Sequence, residues 1–312
     1  MNKKTAKWIG QIFITVLLLY ISFQKVDLNQ IKNIVYDLYY VPFIFIPFLL
    51  IADLTLNSYR IVSLYRFYGI KSNIKDVVKI KLVGNFFALV FPLVGDLYKI
   101  QAFKKTQGSS YKKNVVIVFL DRLIFAFGLT IILAPVIAFG IILKLNPVIV
   151  YSILFLLVIE VIIFYLINNP VIVLTLYNRL KQSIPFLKLE EINFNHKKGY
   201  YREILFNTII AIGRHFIGLL TFFCVAIAIY KEIPFSFFAF SMVVFFLMLS
   251  RVIPVSIGGM GVREYIAVMI FPQIGINENY AFSIAFIVST IMLLFGLSGG
   301  LFYLKQVISR KE

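Results

Sequence analysis

The sequence predicts an all-α, polytopic membrane helix bundle with about six full spans and two re-entrant or broken hairpins, or eight spans if the hairpins cross. Three observations predict it. Hydrophobic residues make up 61% of the chain and mean hydropathy is +0.92, where soluble proteins hold roughly half apolar residues. Apolar runs near the length of about 20 residues needed to cross a bilayer recur along the chain. Most of the 31 Lys and Arg fall on one set of alternating loops, which is the positive-inside pattern. That pattern accounts for the net charge of +17 without nucleic acid, and contact with anionic headgroups uses the same charges. The expected location is a bacterial or archaeal cytoplasmic membrane, multi-pass, with both termini cytoplasmic.

Residues 1–312 read as one integral membrane domain, because no polar stretch approaches the 50 or so residues of a self-standing domain. Its approximate halves, 1–168 and 204–312, are joined by a cytoplasmic loop, 169–203. Cys224 is the only cysteine, so no internal disulfide forms. Lys3, Lys4 and Lys7 precede Trp8 to Phe23, which lacks a small-residue cleavage site and reads as a retained outward span. Gln24 to Leu38 is charge-balanced and weakly amphipathic, suited to the outer interface. Tyr39 to Ser58 returns inward, and Arg60, Arg66, Lys71, Lys75, Lys79 and Lys81 crowd the cytoplasmic side.

Leu82 to Val94 is too short to cross and is flanked by basic residues on both sides. Val77 to Phe103 therefore reads as a re-entrant element turning near Phe91 to Gly95, with Pro92 and Gly95 as hinges. Asn114 to Leu143 crosses outward with a kink expected at Pro135, and Pro147 to Ile167 returns. Ile204 to Tyr230 leads outward again, and Asn279 to Leu304 ends the membrane region beside Lys305, Arg310 and Lys311. Phe235 to Phe271 must then begin and end outside, with Arg251 to Glu264 at its deepest point. The two hairpins enter from opposite faces, so an inverted pseudo-repeat is expected, with a binding site at the repeat interface.

Arg251 to Phe271 is the stretch where a bilayer segment pays most for its residue types. Pro254, Gly258, Gly259 and Gly261 break the helix, making Pro254 a further hinge. A new helix from Val262 would rise about 15 Å and start near the midplane. Its first amides, with Arg251 and Arg263 nearby, suit an anionic group, and Glu264 balances the arginines. The alternative is a tight surface turn between two full spans. Asp121-Arg122 lies deep in a span, and adjacent helix positions point about 100° apart, so each needs another partner. Asp121 with Arg214, Asp53 with Arg122, or Glu160 with Arg214 are the candidate ion pairs. Asp96 and Lys99 can share one helix face after Gly95, or simply form a solvated helix start. No P-loop, no H-E-x-x-H and no Cys/His cluster occurs, so neither a metal nor a cofactor is expected.

At these residues the chain resembles the transmembrane, flippase-like region of the lysylphosphatidylglycerol synthase family. The carrying motifs are Pro92-x-x-Gly95-Asp96-x-x-Lys99, Asp121-Arg122 and Pro254-x-Ser256-x-Gly258-Gly259-x-Gly261-x-Arg263-Glu264. The resemblance implies a bundle that moves a phospholipid between leaflets, such as an aminoacylated phosphatidylglycerol or a polyprenyl-phosphate-linked lipid. The chain stops at Glu312, so the soluble aminoacyl-transfer domain of full-length members, with its tRNA chemistry, is not expected. Family members often carry Glu and Arg at the positions of Asp96 and Lys99, which bears on headgroup preference. The expected partners are an anionic phospholipid or lipid-phosphate substrate and the membrane. A separate lipid-modifying synthase or glycosyltransferase and a homo-oligomer are open additions. The alternative function is the membrane component of a lipid-modifying transferase, with Asp121 or Glu264 as general base.

Overall fold

A backbone in hydrocarbon must satisfy its own hydrogen bonds, and this one does so with helices. The computed structural model describes residues 3–90, 92–142, 199–248 and 256–308, with isolated positions between 151 and 165; among them there is no strand. Helix α1 (Lys3–Phe23) bends by 90° into α2 (Leu28–Tyr36). The Asp27 carboxylate accepts from the amides of Asn29 and Gln30 and caps α2, which has no buried residue. A 3₁₀ turn, Val41–Ile44, leads into α3 (Ile46–Phe67). Then come α4 (Ile74–Val90), α5 (Pro92–Gln107), α6 (Tyr111–Ile142), α7 (Tyr200–Tyr230), α8 (Phe237–Met248), α9 (Val262–Ile270) and α10 (Glu278–Ile308).

Val41–Phe67, Lys113–Leu133, Tyr200–Tyr230 and Glu278–Lys305 are long and apolar enough to cross a membrane, and the bent pair formed by α1 and α2 is a fifth candidate. α6 runs on past Pro135 as one helix. The expected span Pro147–Ile167 falls mostly outside the described residues, as do Glu160 and nearly all of the 169–203 loop.

α4 and α5 form an antiparallel hairpin. Gln107 Nε2 donates to Ser72 Oγ at 2.9 Å across its open end. Pro92 opens α5, where a missing amide costs no helical bond. Gly95 lies inside α5, where the two backbones nearly touch: a Cβ there would stand 2.5 Å from Gly84 O. The second hairpin, α8 and α9, opens at the opposite end of the bundle, where the rings of Phe240 and Phe271 stack at 5.5 Å. Its tip includes the 3₁₀ turn Ile257–Gly259, with Gly258 at φ 60° in the left-handed region.

The loops sort into two ends accordingly. Asp27 N–H donates to Asn279 Oδ1 at 2.8 Å, and Tyr39 N–H donates to Ala228 O at 2.8 Å, at one end. At the other, Ser63 Oγ bonds Glu203, and the rings of Phe67 and Tyr200 lie 6.1 Å apart.

Each end has its own apolar core. Leu129, Phe222, Phe240, Phe245, Phe271 and Ile284 centre one. Ile61, Leu64, Tyr65, Val77, Phe103 and Ile117 centre the other. In lipid such side chains gain close van der Waals packing rather than removal from water, and that packing is what anchors each end. What lies between them is polar.

Candidate functional site

The tips of the two hairpins meet between the cores. Leu89, near the end of α4, reaches the second tip, where a Cβ on Gly258 would lie 3.8 Å from its Cδ2. Beside this junction is a cavity of about 390 Å³. Leu49, Leu50, Ile217, Met248, Met292 and Phe295 give it an apolar wall. The same lining carries Asp53, Asn57, Lys81, Asn85, Asp96, Lys99, Asp121, Arg122, Arg214 and His215. A second hollow of about 400 Å³ opens between the first hairpin and α10, but its lysines, Lys79 and Lys105, are exposed. Buried charge distinguishes the first cavity.

Three carboxylates organise that charge. Asp121 accepts from Arg60 Nη2 and, at 2.9 Å, from Lys81 Nζ. Arg60 Nη2 also donates to the Asp121 carbonyl at 2.5 Å, and Lys81 Nζ to Asn57 Oδ1 at 2.8 Å. Asp53 is held in two-pronged fashion by Arg214, with Nε at 2.8 Å and Nη2 at 3.2 Å, while the guanidinium lies 4.7 Å from the centre of the Phe125 ring. Asp96 accepts from Lys99 at 3.2 Å and from Arg122. His215 Nε2 sits 2.9 Å from the Phe125 carbonyl, which fixes its ring.

Two expectations are corrected by these contacts. Asp121 pairs with Arg60 and Lys81, not with Arg214, and Arg122 pairs with Asp96, not with Asp53. Arg60 and Lys81 also do not belong with the solvated basic flank. They are 0% and 2% exposed, because Asp121 and Asn57 draw them into the bundle. Among the described residues, Lys81, Lys99, Arg122 and Arg214 of the cavity lining thus stand against Asp53, Asp96 and Asp121, with Arg60 behind Asp121.

Of the residues singled out in the sequence, Asp96, Lys99, Asp121, Arg122, Gly258 and Gly259 line the cavity. Gly261, Arg263 and Glu264 do not. Arg263 is 1% exposed and its Nη1 donates to Ser289 Oγ of α10 at 2.8 Å. Ser289 in turn donates to Glu264 Oε1, and the Gly261 amide, expected to be free, donates to Glu264 Oε2 at 2.6 Å. Glu264 therefore caps α9 by reaching back to the residue before it. Gly261 abuts α1, where a Cβ would lie 2.8 Å from Thr15 O. Arg251 and Pro254 lie outside the described residues.

The family described as the lysylphosphatidylglycerol synthase TM region matches residues 8–300. The chain belongs to this family. No curated protein and no solved structure matches it. Membership in the lysylphosphatidylglycerol synthase TM family, with the apolar helices, makes it a multi-pass membrane component related to lipid modification. Among the described residues no group of His, Cys, Asp and Glu is arranged to hold a metal ion.

Arg60, Lys81, Asp53, Asn57 and Arg214 join the site from places that sequence reasoning did not assign to it. The available signal was their unusual residue type close to or within apolar segments, since a charge at the bilayer centre costs about 2.5–3.5 kcal/mol on insertion scales.

Proposed function

We propose that this chain is a lipid translocase of the cytoplasmic membrane, passing an anionic phospholipid or lipid phosphate between leaflets through the cavity at the hairpin tips. The observation that carries the reading is a cavity lined by both buried charged and large apolar side chains, set between two apolar cores in helices long enough to span. The volume lies within the range of about 300–1,000 Å³ usual for ligand pockets. A phosphate fits the charged wall, and the first acyl carbons fit Met248, Met292 and Phe295. Two interrupted hairpins opening at opposite ends support an inverted arrangement of the kind that transporters place around a midplane site. The basic end, which carries Lys71, Lys75, Lys104 and Lys105, then faces the cytoplasm. In this reading the full complement is six spans and two hairpins.

Dithionite quenching of tail-labelled anionic lipids in proteoliposomes tests it. Wild-type protein exposes the inner-leaflet label, and Arg122→Ala slows exposure by on the order of tenfold or more, the effect of removing a single charge from a site of low dielectric. An unchanged rate in Arg122→Ala and Lys99→Ala proteins that melt normally removes the cavity from the transport path.

A further inference from the structure

Resting on that reading, we propose that Lys81 takes up one proton as an anionic headgroup enters the cavity and gives it back when the headgroup leaves, so that proton and lipid cross together. Lys81 belongs to the cavity lining, and its side chain is 2% exposed. Its Nζ makes two hydrogen bonds, to Asp121 Oδ2 at 2.9 Å and to Asn57 Oδ1 at 2.8 Å. A neutral amine has two N–H donors, and these acceptors use both. An ammonium has three, and among the described residues the third finds no acceptor. Asp121 does not need the charge, because it is already paired with Arg60 behind it, which keeps its proton. With both cations charged, this buried triad would carry one positive charge more than it can balance, at a depth where such charge is costly. A phosphodiester oxygen supplies both a third acceptor and a negative charge. The amine lone pair then takes a proton from the adjoining water and becomes an ammonium, with no other bond made or broken.

The other charged groups around Lys81 are fixed more firmly in one state. Arg60 on α3, Arg122 on α6 and Arg214 on α7 do not titrate. Each holds one carboxylate ionised, Asp121, Asp96 and Asp53 respectively. Lys99 on α5 shares Asp96 much as Lys81 shares Asp121, but its side chain is 12% exposed and the arginine beside it is half exposed, so water helps to carry the charge. His215 on α7 has its Nε2 committed to the Phe125 carbonyl. Among the described residues, α10 and the second hairpin tip bring no titratable group to the lining.

The test is binding of tail-labelled phosphatidylglycerol to the full chain in detergent. This lipid is a diester and lacks the second ionisation that a phosphate monoester shows near pH 6, so its own charge stays constant. Because the bound state holds the extra proton, wild-type affinity should fall as pH rises from about 6 to about 9, by up to about tenfold per unit, the slope of one linked proton. Calorimetry in two buffers of different ionisation enthalpy should show up to about one proton taken up per lipid. Lys81→Arg, which cannot shed its charge, and Lys81→Met, which has none, should both bind without the pH slope and without the uptake. Either variant suffices if the other melts early. A wild-type affinity that stays level with pH, with no proton taken up, overturns the coupling and leaves the headgroup cavity standing. Uptake that persists in both Lys81 variants overturns it as well, passing the proton to Lys99 or His215. Lipid that fails to bind, or binds equally to wild type, Lys81→Met and Lys99→Ala at the acid end of the range, sinks the cavity reading itself.

Discussion

Arg122 and Arg263 each stand beside a carboxylate in the sequence, and the bundle uses them in opposite ways. Arg263 is sealed against α10, joined to Glu264 through Ser289, while Glu264 closes the first turn of α9. Arg122 turns away from Asp121 to Asp96 on another helix and keeps half its side chain exposed. One cluster holds the second hairpin tip in place; the other forms the wall of the cavity. Proximity in sequence therefore does not indicate which arginine lines the cavity. What separates them is exposure: Arg263 is sealed, and the Arg122 side chain is half exposed.

The contrast is tested most severely at Asp121, which pairs with two buried cations. Asp121→Asn should cost about 3–5 kcal/mol, because removing one partner leaves uncompensated buried charge. Loss of a monodisperse peak on size exclusion and a lower melting temperature would report it; a normal melt would mean that Arg60 and Lys81 are held by other groups. Arg263→Met comes next, with about 3 kcal/mol lost. The flipping rate of the protein that survives should stay as in wild type, and a slower rate per folded molecule would erase the division between the two clusters. Gly299→Ala is a packing control that alters no charged residue. Its Cβ would stand 2.1 Å from Leu82 O, and overpacking of this kind costs about 1–3 kcal/mol, read as an earlier melt. Smallest in stability is Arg122→Gln, within about 1 kcal/mol because the side chain is half exposed. Its effect should appear in flipping rate alone, and an early melt with normal flipping would reverse the assignment.

The helical breaks were legible because proline and glycine act locally. The helices beginning at Pro92 and at Val262 follow from the residues at their starts. The i, i+3 contact of Asp96 with Lys99 was legible for the same reason. The rest of the site depends on contacts across 40 to 161 positions, joining Lys81 and Arg60 to Asp121 and Arg214 to Asp53. Near the end of an apolar run, a buried arginine and a headgroup-facing one look identical in sequence. Arg60 was read with the flank for that reason. Arg263 misled in the other direction, because Ser289, which absorbs it, lies 26 residues away in an otherwise unremarkable span.

The glycine seams have a mechanical corollary. α4 meets α5 at Gly84 and Gly95, and meets α10 where Gly299 lies against the Leu82 carbonyl, with no room for even a methyl group at the latter two contacts. Backbones in such contact cannot slide without climbing over one another, so these three helices form a single rigid plate. Its joint with α6 is bridged instead by Lys81 to Asp121 and by Asp96 to Arg122. Bonds of that kind can be traded for the oxygens of an incoming anion, so under the proposed function it is the cargo itself that would unlatch the plate.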